Sequence, residues 1–498
     1  MSENIAAEPD RLLPADPGTR AIARRLLALV EQLPILSPHG HVDAAMILRN
    51  TPFPDPATLL VTPDHYVTRV IHASGIPLHS LGVRNPTSLP EPAAAGTGAG
   101  AIAGAGIDAA RAGRDVWRAF VKAWPLFEGT ASGYWFRQEF EHVFRLDISA
   151  LDAITPAADD GVADGLFDQL SARLREPDFR PRKLFSDFNI EVLATTDDPL
   201  DDLSAHAALA ADPTFPGRVL PTFRPDAYIK FHAAGWAERV ERLISVAGDG
   251  HSGYPGYLQA LENRRQYFVN HGAVSADHGS RTAGTLKLPA EQAQALFDKA
   301  RRGDATAEDA DAFEAHMMYQ MARMSVADGL VMTLHPGVFR NHHRPTFESF
   351  GADTGHDIPF PVSFTEGLRP LLEDFGTVPG FHFIPFTVDE TVFSREIAPL
   401  AGFYPAVYIG APWWFLDAPD AMLRFRSAVT ETAGFSRSSG FIDDTRAFCS
   451  IPARHNTSRR IEASFLARLV AERRISETRA ADIIVDIVDA APRRAFKL

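Results

Sequence analysis

The sequence predicts an α/β protein built on a (β/α)8 barrel of the TIM type, with a large helical insertion after the first strand. Seven short runs rich in Val, Ile, Leu and Phe lie between residues 33 and 444, and each ends in polar side chains. Amphipathic stretches such as residues 419–434 separate many of them, so strands and helices alternate as in a parallel sheet. Polar strand ends favour a closed barrel, whose active sites gather there. A doubly wound open sheet is the alternative, but no glycine-rich phosphate fingerprint follows the first run.

The first run, LPILSPHGH at residues 33–41, ends in His39 and His41. If the strand extends that far, side chains two residues apart face the same way, and both imidazoles point towards the barrel axis. The pair is either incidental to a loop or part of a divalent metal site, since neutral imidazole is a common ligand of zinc-like ions. Two later strand ends favour the metal site, because His335 and Asp444 would supply further ligands or proton-transfer groups at the same rim.

The other runs bring further polar groups to this edge. Arg224 follows one run and can reach over the barrel mouth, with a surface salt bridge to a nearby acid as the alternative. Asp197 and Asp198 are either site groups or helix caps. Trp413 and Trp414 are adjacent, so we expect only one of them to face a pocket. These runs are IEVLATTDDP (190–199), GRVLPTFRPD (217–226), GLVMTLHPG (329–337), GFHFIPFTVDE (380–390), AVYIGAPWW (406–414) and SGFIDDTR (439–446).

Two regions fall outside the strand-helix repeat of what we expect to be a single barrel domain over residues 1–498. Residues 44–185 are too long for one connection, and we expect a mostly helical insertion covering the barrel mouth. Within it, the Gly/Ala-rich stretch 92–106 suggests a mobile loop or a helix contact through small residues. Residues 457–498 predict two helices, separated near Ile475 and Ser476, that close the barrel exterior.

Composition excludes several classes of partner. The formal net charge is −14, a poor match for nucleic acid or an anionic membrane. Cys449 is the single cysteine, which excludes an internal disulfide and a thiolate metal cluster. No signal peptide precedes the first helix, and no stretch offers about 20 uninterrupted apolar residues for a membrane span. We therefore expect a cytoplasmic protein.

A His-x-His pair on the first strand with an aspartate on the last is the pattern of the amidohydrolase superfamily. Further motifs, in chain order, resemble those of the uronate isomerases, also called glucuronate isomerases. The chain departs from the family at residues 38–41, where a His-Cys-His stretch is usual. It departs again where His335-Pro336-Gly337 and Asn341-His342-His343 stand in place of the usual HIG…RNNN, so that imidazoles occupy two of the asparagine positions. The motifs are DHY (64–66), TTDDPLDDLSAH (195–206), PTFRPD (221–226), ADHG (276–279), LHPGVFRN (334–341), DTG (353–355), WWFLD (413–417) and DDTRAF (443–448).

The resemblance implies an aldose–ketose isomerase that interconverts D-glucuronate with D-fructuronate, and D-galacturonate with D-tagaturonate, by moving a proton from C2 to C1. Such a step needs a base and an electrophile that stabilises the enediolate oxygen. The resemblance implies one divalent ion, zinc before manganese or iron, held by His39, His41 and Asp444. Asp444 is preferred to Asp443 because its spacing to Arg446 matches the family, and it is also the candidate base.

The remaining site candidates have roles in proton transfer or substrate binding. Tyr66 resembles the family tyrosine that assists proton transfer, with His65 beside it; helix packing is the alternative for both. His335 would contact substrate oxygens or the metal, with a buried core histidine as the alternative. Trp413 would form one wall of the pocket, against the sugar. The candidates for holding the substrate are the arginines Arg224, Arg340 and Arg446.

A metal-dependent hydrolase of the same superfamily is the second hypothesis, in which the metal activates water. The arginines favour the isomerase, because a uronate must have its C6 carboxylate held and a neutral amide does not. A carbamylated two-metal centre needs a lysine at a strand end, and the sequence shows no clear candidate for one. We expect a small-molecule uronate as the partner and a homo-oligomer as the assembly.

Overall fold

A computed structural model describes residues 9–84, 106–155, 157–233 and 235–498. Its strands are short, and those of the two larger sheets run parallel. They are β1 (Ile35–Ser37), β2 (Ile190–Ala194), β3 (Arg218–Leu220), β4 (Thr222–Phe223), β5 (Ser275–Gly279), β6 (Val331–His335), β7 (Val338–Phe339), β8 (Ile358–Pro359) and β9 (Phe383–Pro385).

The parallel strands form a ring in chain order. β1, β2 and β3 are paired, as are β4, β5, β6 and β9, and β3 and β4 are separated only by Pro221. The last two positions of the ring are the segments 407–409 and 438–445, and the backbone N–H of His41 donates to the carbonyl of Thr445 over 3.0 Å, which closes it. This confirms the predicted (β/α)8 barrel. The isolated bridges between neighbouring positions are Asp197 with Phe223, Phe383 with Val407, and Ile409 with Ser438.

β5 is absent from the seven apolar runs because its sequence, Ser-Ala-Asp-His-Gly, is mostly polar. All five residues are buried, since β5 lies between β4 and β6 inside the ring. Apolar periodicity cannot reveal a strand that is built from buried polar residues. β7 and β8 form an antiparallel pair outside the ring, within the connection from β6 to β9.

Between β1 and β2 the described residues form helices and turns without a strand. The sequence 92–106, apart from its last residue, lies outside the described residues. Asp43, Asp55 and Asp64 cap three of the helices by accepting a backbone N–H. The helices up to β2 are α1 (Pro17–Ala28), α2 (Ala44–Arg49), α3 (Pro56–Leu60), α4 (His65–Ala73), α5 (Gly106–Lys122), α6 (Ala131–Gln138), α7 (Gly161–Arg175) and α8 (Pro181–Asp187).

The helices that follow β2 surround the ring. Most of them share one core with the strand residues Phe223, Leu334 and Phe383, and a second core joins α2–α8 through Trp117 and Phe120. No helix in the described ranges is long and apolar enough to span a membrane. The helices are α9 (Ser204–Ala211), α10 (Asp226–Ile229), α11 (Trp236–Ala247), α12 (Gly253–Asn270), α13 (Ala290–Arg302), α14 (Ala307–Asp328), α15 (Arg344–Phe350), α16 (Phe364–Gly367), α17 (Arg369–Phe375), α18 (Ala398–Phe403) and α19 (Pro419–Ala433).

The C-terminal region contains α20 (Ile451–Ala471), α21 (Glu477–Val485) and α22 (Ala491–Phe496). Its first helix begins at Ile451 rather than at 457, and the chain turns between residues 471 and 477, around the expected separation. α20 is largely buried, because it packs against α1, α6 and α19. Phe496 packs against Val331 and Ile384 of two barrel strands, so the end of the chain contributes to the barrel core.

Candidate active site

A cavity of about 350 Å³ lies where the barrel strands end. Polar groups from the described ends of five ring positions line it: His39 and His41 after β1, Arg224 after β4, Asp277 in β5, His335 in β6 and Asp444 in the last position. The region between β1 and β2 adds the start of α4, and the connection after β6 adds Arg340 and Asp353. All of the predicted site residues, His65 and Tyr66, Trp413 and Arg446 included, line this one cavity.

His39, His41 and Asp444 converge on one point. The Nε2 atoms of the two imidazoles lie 3.3 and 3.0 Å from Asp444 Oδ1. Donor atoms bound to one ion through bonds of about 2.1 Å are separated by about 3.0–3.4 Å, the spacing seen here. Within the described part of the chain, the buried Oδ1 atom receives no hydrogen bond. The three residues therefore form a group that can hold a divalent metal.

The tautomer of His41 supports this fit. The hydroxyl of Thr196 donates to the carbonyl of Gly40 over 2.7 Å, so its oxygen accepts from His41 Nδ1, 3.1 Å away. A proton on Nδ1 leaves a lone pair on Nε2, which faces the carboxylate of Asp444. Burial, partly offset by Asp444, holds the pKa of His41 below its ordinary value, so this imidazole is neutral at pH 7. Two acceptors that face each other in a buried site are stabilised by a cation between them.

Asp444 and its neighbour Asp443 occupy different environments. Asp444 has a left-handed backbone with φ of 41°, which turns its side chain towards His39 and His41. Burial alone would raise the pKa of Asp444, but the imidazole of His39, whose own pKa is raised beside Asp277 and Asp444, holds it well below its ordinary range. Asp443 instead contacts His455 of α20, with 3.1 Å between Oδ2 and Nε2. The side chain that faces the two histidines is that of Asp444, which agrees with the preference for Asp444 over Asp443.

Asp277 is a site residue that the sequence analysis does not single out. Its Oδ1 accepts hydrogen bonds from His335 Nδ1 at 2.7 Å and from the Thr333 hydroxyl at 2.6 Å. The Nε2 atom of His335 is buried and has no hydrogen bond within the described ranges. His39, Asp277 and His335 form a second group with metal-binding spacing, which shares His39 with the first. The only signal in the sequence is the ADHG motif, because the strand itself lacks an apolar run.

Arg224 faces two carboxylates as well as the cavity. Its Nε lies 3.4 Å from Asp226 Oδ2 and 3.4 Å from Asp277 Oδ2. The salt bridge considered as the alternative to substrate binding is thus present, but it lies inside the cavity and not on the outer surface. The two acids engage the Nε edge, and the side chain keeps 23% of its area exposed. Arg224 therefore links the Asp277–His335 pair to the space in which a substrate would lie.

Arg340 and Arg446 lie on either side of Asp353 at the mouth of the cavity. Asp353 is 3.4 Å from Arg340 Nη1 and 3.6 Å from Arg446 Nη2, and Asp357 also accepts from Arg340 at 2.8 Å. Although burial opposes it, the two arginines hold the pKa of Asp353 at about 2. Arg446 thus has a weak contact with an acid, which a substrate carboxylate with two-point geometry can replace.

The start of α4 presents His65 and Tyr66 to the cavity. Asp64 caps the helix by accepting the backbone N–H of Tyr66 over 2.8 Å, which fixes the first turn. Burial, together with Arg446, lowers the pKa of His65 to about 3, so its ring is neutral. Neither ring nitrogen has a hydrogen-bond partner in the described ranges. Tyr66 donates to Asp417, and both residues belong to the cavity wall.

Both tryptophans line the cavity, so the expectation that only one would do so is wrong. Trp413 lies against His335 with 4.7 Å between ring centroids, and Trp414 lies 5.2 Å from His65. The guanidinium of Arg340 covers Trp414 at 5.1 Å. The segment leaves regular strand geometry before Trp413, and strict alternation of sides therefore ends. Each ring consequently contacts a different wall of the cavity.

Asp197 and Asp198 lie outside the cavity lining. Asp197 accepts from the hydroxyl of Thr195 at 2.6 Å and from the backbone N–H of Thr222 at 3.0 Å. Asp198 accepts the backbone N–H of Leu200 at 2.8 Å. Both therefore stabilise the turn after β2. Neither caps the next helix, because α9 has Leu203 at its N-cap and no side-chain cap, so the capping alternative is wrong.

Comparison with known proteins identifies the family. Residues 95–496 match the glucuronate isomerase family model. A uronate isomerase from Corynebacterium efficiens is 59% identical over 498 residues, covering 100% of both chains. The crystal structure of a glucuronate isomerase from Caulobacter crescentus superimposes with a TM-score of 0.89 and 43% identity, covering 98% of this chain and 96% of that one.

A uronate isomerase structure from Thermotoga maritima superimposes with a TM-score of 0.85 at 26% identity, covering 98% of this chain and 99% of that chain. These matches extend over the barrel and the helical region after β1 together. They support the isomerase prediction over the hydrolase alternative. The chain therefore belongs to the glucuronate isomerase family, also called the uronate isomerases.

Proposed function

We propose that this enzyme interconverts D-glucuronate with D-fructuronate, D-galacturonate with D-tagaturonate, or both pairs, by moving a proton between C2 and C1. The observation that carries the proposal is one cavity with a His39–His41–Asp444 group on one side and arginines on another. A uronate needs both features, because its carboxylate must be held while a weakly acidic C–H proton is removed.

Asp444 is the proposed base. Its carboxylate is charged at neutral pH, because the neighbouring His39 holds its pKa well below the ordinary range. A carboxylate with a low pKa is a weak base in water, so it requires a stabilised enediolate to accept a carbon-bound proton. His335 supports this step with an imidazole whose orientation is fixed by its Nδ1 contact with Asp277. His65, which is neutral, faces the same space and can hydrogen-bond a substrate hydroxyl.

The arginines are proposed to hold the C6 carboxylate. Arg224 offers a partly exposed guanidinium from inside the cavity, and Arg340 and Arg446 offer two from the mouth. A planar guanidinium binds a carboxylate through two parallel hydrogen bonds, which fixes the direction of the sugar chain. Trp413, beside His335, provides a flat apolar wall against which the sugar can lie.

We propose that His39, His41 and Asp444 hold one divalent ion. Zinc is the preferred candidate, and manganese and iron are the alternatives. Two imidazoles and a carboxylate are acceptable ligands for all three metals. When bound, the ion would supply Lewis-acid stabilisation of a substrate oxygen that gains negative charge. The second donor group shares His39, so the proposal assigns one ion to the centre.

The decisive experiment incubates purified protein with D-glucuronate and D-galacturonate separately and follows the ketose by NMR in deuterated water. We expect fructuronate, tagaturonate or both, with proton transfer reported by the deuterium content at C1 of the ketose. Protein that contains its full complement of metal and forms neither ketose would reject the proposal. Hydrolysis of a neutral amide by the same preparation would instead favour the hydrolase alternative.

The compartment and the assembly are part of the same proposal. Cys449 is buried just before α20, and burial raises its thiol pKa well above the ordinary value, so it is poorly placed to pair with another cysteine. This supports a reducing compartment, the cytoplasm. We also propose a homo-oligomer, which light scattering of the purified protein at several concentrations would test.

A further inference from the structure

The hydroxyl of Tyr66 is held from behind by a buried ion pair. Its Oη lies 3.0 and 3.2 Å from the two carboxylate oxygens of Asp417, and the backbone N–H of Phe415 donates to it over 3.2 Å. Asp417 is only 6% exposed. Tyr66 thus donates its phenolic proton to Asp417 while Phe415 occupies one of its acceptor positions.

Arg454 of α20 fixes the position of Asp417. Its Nη1 donates to Asp417 Oδ2 over 2.9 Å and to the backbone carbonyl of Asp443 over 3.3 Å, and its Nε donates to the Ser450 hydroxyl over 3.0 Å. The guanidinium also packs over the Trp135 ring at 3.7 Å, and the residue is 2% exposed. One cation therefore ties the partner of Tyr66 to the strand end that carries Asp444.

These contacts determine what Tyr66 can do. A phenol has one proton to donate, and here that proton is directed away from the cavity to Asp417. The position left for a substrate is a lone pair, so Tyr66 faces the cavity as an acceptor. Burial and the nearby carboxylate of Asp417 both raise the pKa of Tyr66 well above its ordinary value, which disfavours a free phenolate. A proton can therefore enter Tyr66 only if the phenolic proton leaves at the same time.

We infer that Asp417 and Arg454 are positioning residues for the isomerase, which act through Tyr66 in a relay of two coupled proton transfers. When a substrate O–H bond breaks and its proton passes to Tyr66 Oη, the phenolic O–H bond breaks as well and its proton passes to Asp417; the reverse transfers restore both groups. Arg454 keeps Asp417 aligned with Tyr66 and does not itself exchange a proton. This inference rests on the proposed function, because it assigns a route for a proton of that reaction.

The test is a double-mutant cycle with Tyr66→Phe and Asp417→Asn, read as kcat and KM for the preferred uronate. Tyr66→Phe removes only the hydroxyl, and Asp417→Asn keeps a hydrogen-bond acceptor but cannot take a proton. Each single variant should lower kcat by about 10²-fold, the lower end of general acid–base contributions, with little change in KM. In the double variant kcat should lie within about twofold of Tyr66→Phe alone, because residues that act as one unit are not additive.

Asp417→Asn leaves the buried charge of Arg454 without its partner, and such a change can prevent folding. The paired variant Asp417→Asn with Arg454→Met removes both charges and also removes the proton acceptor. We expect it to fold, to retain metal and to show the same loss of kcat while Tyr66 is present. Adding Tyr66→Phe to this paired variant should cause no further loss.

A second buried pair provides a matched control. Arg426 of α19 contacts Glu462 of the same helix α20 at 2.9 and 3.0 Å, and both residues lie outside the cavity lining. Arg426→Met with Glu462→Gln should alter thermal stability and leave kcat within about twofold of wild type. A comparable loss of kcat in this control would show that anchoring α20, not relaying a proton, explains the effect of Asp417.

The outcomes separate the two levels of the proposal. Losses that multiply in the Tyr66→Phe, Asp417→Asn variant would overturn the relay, because Asp417 would then act independently of Tyr66. Losses confined to KM would overturn it as well. Wild-type protein that converts neither uronate would reject the proposed function and the relay together, whereas multiplicative losses in an active wild type would reject the relay alone.

Discussion

Replacing Arg224 with lysine tests whether the enzyme holds a substrate carboxylate from inside the barrel. Arg224 has Asp226 and Asp277 on its Nε edge and keeps 23% of its side chain exposed to the cavity. Lysine is the informative replacement because it keeps a positive charge near the two acids. A neutral residue would leave Asp277 without that charge and would disturb its hydrogen bond to His335 as well.

The expected loss follows from the geometry of the two cations. An ammonium is a point donor and cannot reproduce the two parallel hydrogen bonds of a guanidinium to a carboxylate. A hydrogen bond to a charged group contributes about 1.5–3 kcal/mol, which corresponds to a loss of about 10- to 150-fold in kcat/KM when it is removed. We therefore expect Arg224→Lys to lose about this factor on the uronate.

The assay compares kcat/KM for a uronate with that for the matching neutral aldohexose. Wild-type enzyme should turn over the neutral sugar poorly, and Arg224→Lys should change that residual rate little, because the contact it removes is never made. Arg182→Lys is the matched control, since Arg182 is 24% exposed and pairs with Asp212 outside the cavity. It should leave both rates unchanged.

Equal losses on the acidic and the neutral sugar would refute this reasoning, because Arg224 would then support the fold or the chemistry itself. Unchanged kcat/KM on the uronate would also contradict it and would assign the carboxylate to Arg340 and Arg446 at the mouth. Metal content and thermal unfolding of the variant distinguish a damaged fold from a lost contact.

Three further predictions concern the metal, the base and pH. Elemental analysis should find about one divalent ion per chain, and His39→Asn or His41→Asn should lose most of it; full retention by both variants would exclude the His39–His41–Asp444 site. Asp444→Asn should lower kcat by at least about 10²-fold, and wild-type turnover would disprove its assignment as the base. Burial, with Asp64 nearby, raises the pKa of Glu139 from an ordinary 4.5 to about 8. The folded state then holds an extra proton between these values, so the free energy of unfolding should fall as pH rises from about 4.5 to about 8. Glu139→Gln should flatten that dependence in denaturant titrations at several pH values, and an unchanged slope would contradict the buried neutral carboxyl.

Local sequence signals suffice for part of the site. β1 ends at Ser37, so strand alternation does not extend to His39 and His41, but the sequence correctly places both imidazoles just after the first strand, at the edge where a barrel gathers its site residues. Asp444 follows the last apolar run, and a barrel brings its first and last strands together, so its approach to the histidines follows from closure. The fold class rests on the same kind of signal, namely repeated apolar runs with polar ends.

Closure of the barrel decided the contacts between distant segments. Asp277 lies in a strand without an apolar run, and only its neighbours on both sides identify it as part of the ring. Tyr66 and Asp417 are 351 positions apart, and Arg454 lies in the first turn of α20, before residue 457, where the sequence predicted that the C-terminal helices begin. Sequence by itself determined which residues stand at the ends of the barrel strands, because a short apolar run and the polar residues that follow it are local features of the chain. The tertiary structure alone decided which carboxylate partners each histidine, tyrosine or arginine, because those partners are fixed by the packing of segments that no local rule relates.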